Sequence, residues 1–183
     1  MDRRTSLRLM ATASLASGVR FRMPDWAGWT EPAFFTEHEF ETVRVLVDLI
    51  LPADERSGSA TDAGVPEFMD FMMIDQPDLQ LPMRGGLAWL DHHSQRGFGK
   101  TFVALADVDR RSILDEIAWP DDADPAVSQG VAFFTEFRDL TATGFWSSRM
   151  GVEDLQYSGN VYIREWNGCP EAVLRRLKVR HAD

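Results

Sequence analysis

Apolar residues recur at helical spacing through most of the chain, and almost nowhere at the two-residue spacing of a strand. The clearest case is FTEHEFETVRVLVDLILPADE, residues 35–55. Phe40, Val43, Val47 and Ile50 fall on one side of a helix, and Leu46 and Leu49 widen the stripe. Thr36 followed by Glu39 forms a capping box, in which each side chain bonds the other residue's main-chain N–H. Pro52 stops the helix, and ADERSGSATDAG reads as a polar loop.

The same reading continues downstream. Pro66 suits the first turn of a second helix, VPEFMDFMMID, with Phe68, Met69, Met72 and Met73 on its apolar side and Pro77 at its end. A third covers PMRGGLAWLDHHSQR, with Leu87, Leu90 and Trp89 facing inward and Gly97 as its stop. Asp107 caps a fourth, DVDRRSILDEIAW, whose stripe is Ile113, Leu114 and Ile117; Pro120 and the run DDAD close it. The longest helix runs from about Ala126 to Thr143, with Val127, Val131, Phe134, Phe137 and Leu140 or Thr141 on one side and Gly144 at its end. Residues 145–169 read as irregular, and a last helix after Pro170 carries Val173, Leu174 and Leu177.

Only Val161–Ile163 alternates weakly. The pattern predicts an all-α fold, an irregular bundle of about five to six helices with a long aromatic C-terminal loop. Ahead of it, MPDWAGWTEPAFF (residues 23–35) has no period and reads as an arm that packs on something.

Length and charge narrow the function. At 183 residues and 44% hydrophobic, the chain suits one domain with a proper core. Its net charge is -10. Residues 1–22 carry Arg3, Arg4, Arg8, Arg20 and Arg22 against Asp2, a net of +4, which leaves -14 for the rest. So acidic a body argues against nucleic acid and against anionic lipid as partners. No stretch approaches the ~20 apolar residues of a membrane span.

The opening MDRRTSLRLMATASLASGVR has a basic start and a short, weakly hydrophobic run. Arg3-Arg4 before such a run resembles a twin-arginine export signal. The usual pattern prefers Phe where Ser6 stands and Lys where Arg8 stands, and no clean cleavage site precedes Arg20. The expected division is a signal over 1–22 and a single helical domain over 23–183. The expected location is periplasmic.

Catalytic and cofactor motifs are missing. There is no G-x-G-x-x-G after a strand, no Walker loop, no haem-attachment motif, no cysteine set for zinc or iron–sulfur, and no G-x-S-x-G elbow. The single cysteine, Cys169, reads as a small buried hydrophobe. His92 and His93 are the best metal candidates, but adjacent helix residues point about 100° apart and share no face. Glu37-His38-Glu39 has the same fault, so these histidines are expected to face solvent. Asp48, Asp54, Glu55, Asp70 and Asp75 are read as solvated acidic surface. The expectation is no catalytic residue, no metal and no cofactor in this chain. Met69, Met72, Met73 and Met83, with Phe68 and Phe71, read first as core and second as a partner-facing patch.

From Gly144 the chain reads GFWSSRMGVEDLQYSGNVYIREWNGCP. Large aromatics among glycines and polar residues fit either a loop folded over the bundle end or a binding surface. Trp26, Trp29, Trp146, Tyr157 and Trp166 are the predicted interface anchors.

A twin-arginine start, a helix ending LILPADE, then GG-x-x-WLD, then a Phe-rich helix ending DLTATGFWSS, then LQYSGN and WNGCP: this order resembles the gluconate 2-dehydrogenase subunit 3 family. The resemblance implies a non-catalytic small subunit of a periplasmic, FAD-dependent sugar or glycoside dehydrogenase. Its partner would be a flavoprotein large subunit of the glucose–methanol–choline type, paired as a heterodimer, with a cytochrome c subunit in some complexes. FAD would belong to the partner. The small subunit would carry the export signal for both and stabilise the flavoprotein. Two alternatives stand beside it. One is a stand-alone exported helical enzyme or metal-binding protein using His92 or His93. The other is a transient export chaperone.

Overall fold

A computed structural model describes residues 32–157, 162, 164–165, 168–169 and 171–178. Val161 and Ile163, where weak alternation was noted, lie outside the described residues, as does most of the arm. Among the described residues there are seven α-helices and no strand, so the all-α irregular bundle holds.

Helix α1 (Glu37–Ile50) begins with the capping box: Glu39 N–H donates to Thr36 Oγ1 at 3.3 Å, and Thr36 N–H donates to Glu39 Oε2 at 2.8 Å. Val43, Leu46 and Val47 are buried, and Phe40, Leu49 and Ile50 pack at the edge. Helix α2 (Val65–Asp75) starts after Gly64, whose φ of 79° is the left-handed conformation glycine adopts at least cost.

Helix α3 (Gln80–Phe98) runs past Gly97. The stop is Gly99, at φ 73°, whose N–H donates to Gln95 O at 2.9 Å. Termination needs a left-handed residue after the last turn, and Gly97 is still inside the helix. Helix α4 (Asp107–Ile117) starts one residue earlier in its cap than expected. Ala106 has the extended backbone of the cap, and the Asp107 carboxylate instead accepts from Arg110 Nη1 at 2.8 Å.

Helix α5 (Ser128–Ser147) is the hub, touching α1, α2, α3, α4 and α6. Gly144 does not end it. It is buried within the helix because α2 passes close by: a Cβ there would lie 2.7 Å from Phe68 Cδ1. Phe145 therefore stays helical and is 2% exposed. Ser148 then accepts from Gly151 N–H at 3.0 Å and caps α6 (Arg149–Asp154), a helix inside the stretch expected to be irregular. Helix α7 (Glu171–Leu177) comes last.

Two reciprocal contacts lock α3 to α5. Phe133 of α5 lies over Gly86 of α3, and Trp89 of α3 lies over Gly130 of α5. A Cβ on Gly86 would come within 1.8 Å of Phe133, and one on Gly130 within 2.2 Å of Trp89. Each helix lends a bare backbone to the other's ring, which brings the axes close. Met69, Met73 and Met83 are buried in the same core, and Met72 packs against it, so core packing accounts for these four methionines.

Candidate partner-docking surface

A groove of about 750 Å³ lies where the 61–64 turn and α2 meet the α5–α6 junction. Its apolar floor is Phe68 and Phe71, and its rim includes Thr61, Asp62, Glu67, Ser147, Ser148 and Arg149. The turn is held by local bonds. Asp48 accepts from Thr61 N–H at 2.8 Å, and Asp62 accepts from Ser59 N–H at 3.0 Å. On the far wall Arg149 donates to Glu153 at 2.9 Å, which holds its guanidinium even further above neutrality than usual.

The loop leading to the groove closes on itself. Asp54 Oδ1 accepts from the N–H groups of Arg56 and Ser57 at 2.8 and 2.9 Å. Those bonds hold the Asp54 carboxyl below the ordinary aspartate range. Arg56 then reaches α6, 2.9 Å from Asp154 Oδ1, and also donates to the Asp154 carbonyl. The 54–57 turn is thereby tied to α6.

Of the predicted anchors, Trp146 sits in the last turn of α5, immediately before groove residues Ser147 and Ser148. It is 36% exposed and packs edge-on to Phe145 at 4.8 Å. Tyr157 follows α6 and is 61% exposed, with Leu155 also open to solvent. Both anchors therefore lie at the end of the bundle where α5 meets α6. Trp26, Trp29 and Trp166, and the signal residues Arg3 and Arg4, lie outside the described residues.

Asp70 corrects the reading of the carboxylates as solvated surface. It is 1% exposed. Its Oδ2 accepts from Ala33 N–H at 2.7 Å, and its Oδ1 accepts from Phe34 and Phe35 N–H at 3.0 Å each. Three main-chain donors compensate for burying one charge. The end of the arm thus packs as expected, on α2, with Phe35 buried beneath it. Arg84 of α3 completes the hold, donating to Phe34 O at 2.8 Å with its guanidinium 4.3 Å from the Phe34 ring centre. Sequence periodicity could not find Asp70, because its partners are backbone amides 35 to 37 residues away.

The histidines are only partly solvent-facing. His92 is exposed. His93 is half-buried, stacked on Trp89 at 4.8 Å and 3.1 Å from Glu116. His38 meets Asp91 across helices at 2.5 Å, while Asp91 also accepts from Phe102 N–H. His38 and His93 thus each work in a pair between helices. Among the described residues no three His, Cys, Asp or Glu side chains gather where a metal could sit. Cys169 is exposed, contrary to the expectation of a buried hydrophobe.

Among the described residues no helix is long and apolar enough to cross a membrane. A family model described as gluconate 2-dehydrogenase subunit 3 matches residues 37–164, more than two thirds of the chain. No curated protein and no solved structure matches it.

Proposed function

The chain belongs to the gluconate 2-dehydrogenase subunit 3 family, which makes it an accessory subunit of a dehydrogenase complex, and on that premise we propose that its partner is an FAD-dependent sugar or glycoside dehydrogenase of the glucose–methanol–choline type. The chain has no catalytic residue of its own in this reading. It is exported through the twin-arginine route on Arg3 and Arg4, and carries the folded flavoprotein to the periplasm with it. A cytochrome c subunit would accept the electrons. FAD chemistry resides in the partner, and this chain's task is to hold it.

The observation that carries the reading is the family match, joined to a surface fit for a second chain. The α5–α6 end offers an apolar-floored groove, and the same stretch of chain exposes Trp146, Leu155 and Tyr157. Trp and Tyr are frequent anchors in protein interfaces. The acidic body sets orientation and encounter.

The test is a pull-down of the tagged chain from periplasmic extract, scanned near 450 nm and run on a gel. A yellow complex with a large second band is the expected result. A colourless lone band would overturn the stable-subunit reading and leave a transient chaperone or a stand-alone exported protein.

A further inference from the structure

Helix α7 alone among the described α-helices buries none of its residues. Val173 and Leu177 are 44% and 63% exposed, and Leu174 lies between covered and open. At 100° per residue these three side chains form one continuous stripe about 100° wide. Residues 171–178 also carry Arg175, Arg176 and Lys178 against Glu171, a net of +2, whereas residues 32–157 carry nine basic and 23 acidic side chains, a net of -14. A seven-residue helix is marginal in water by itself and is normally held by what it packs on.

We propose that α7 is a docking helix, which lays the Val173–Leu174–Leu177 stripe into an apolar groove with a carboxylate rim on the dehydrogenase large subunit. This deepens the subunit reading and rests on it. Arg175 and Arg176 meet the carboxylates of that rim, and the stripe supplies the contact area, in the helix-in-groove manner.

Two observations select this acceptor. The chain's own body is acidic and within reach, since 13 residues (158–170) can span at most about 45 Å. Yet α7 keeps its apolar stripe open, so the seat belongs to another chain. A lipid surface fits poorly, because three apolar residues insert little area and the -14 body is repelled by anionic headgroups. Helix α7 lies beyond residues 37–164, so membership of the family assigns it no role.

The test uses the full tagged chain, wild type and two variants, Leu177→Asp and Arg175→Glu/Arg176→Glu. Capture of the flavoprotein is read on a gel and at 450 nm, and binding to phosphatidylglycerol vesicles is read by sedimentation. Both variants should keep the wild-type melting temperature, since these side chains are exposed. Each should weaken capture about tenfold or more, and added salt should weaken the wild-type complex. A complex that survives both variants unchanged overturns the inference alone. A wild-type chain that captures no flavoprotein overturns the subunit reading and the inference with it. Loss of vesicle binding with the complex intact assigns α7 to a membrane and also overturns it.

Discussion

Phe133 occupies the space that a Cβ on Gly86 would need: the two would stand 1.8 Å apart. Neighbouring Gly85, on the same helix, has nothing within 4 Å of its own Cβ position. One glycine is therefore required by packing and the other costs helix propensity for no return. Gly86→Ala should destabilise by about 1–3 kcal/mol through overpacking. Gly85→Ala should stabilise by about 0.5–1 kcal/mol. Thermal unfolding of the two variants should move in opposite directions, each kcal/mol shifting the midpoint by about 2–4 °C.

Asp70→Ala should cost about 3 kcal/mol or more. It strands three amides that the carboxylate now serves, one buried and two part-buried, and a buried unpaired N–H alone costs about 1–3 kcal/mol. Asp70→Asn keeps one acceptor oxygen and should lose less. Urea unfolding measures the loss. Chymotrypsin should also cut at Phe34 and Phe35 faster in Asp70→Ala than in the wild type, because the arm is then free to leave α2.

Asp54 yields a pH prediction. The Arg56 and Ser57 amides lower its folded pKa below the unfolded aspartate value of about 3.9. The stability it contributes is therefore present above that unfolded value, and is lost as pH falls through the lower folded one. An NMR titration of the Asp54 carboxyl should give a midpoint below 3.9, and Asp54→Asn should remove the corresponding acid sensitivity of the 54–57 turn.

Tyr157→Ala should leave folding within about 0.5 kcal/mol of wild type, since the ring is mostly exposed. Trp146→Ala should cost somewhat more through its lost edge contact with Phe145. Each should weaken capture of the flavoprotein by about 2 kcal/mol, some thirtyfold, if these rings are true anchors. Capture is measured against melting temperature in the same preparations. Alanine at Trp26, Trp29, Trp146, Tyr157 and Trp166 together, with capture unchanged, would move the interface elsewhere.

The helices were legible in the sequence because their signals are local. A capping box at Thr36–Glu39, a proline at 66 and a stripe through Ile113, Leu114 and Ile117 each involve residues within a turn or two. Among the misread positions, two glycines and an aspartate stand out. Gly144 looked like a helix end but serves as a slot for Phe68, three quarters of a hundred residues upstream. Gly97 looked like a cap, but the left-handed residue is Gly99. Asp70 resembled any other surface carboxylate until three amides of the arm closed around it. The groove was visible only in its parts: Phe68 and Phe71 stood out as surplus to one helix core, while Ser147 and Arg149 carried no mark at all.

The Asp70 contact has a mechanical side. It grips main-chain amides, so the side chains of Ala33 and Phe34 can vary while the grip persists, and only residue 70 must stay acidic. A pull on the chain ahead of Pro32 is therefore delivered through three parallel hydrogen bonds to one carboxylate in the middle of α2, and through Arg84 to α3. The load enters the body across two helices at once, and α1, which comes next in the chain, is shielded from unravelling from its first turn.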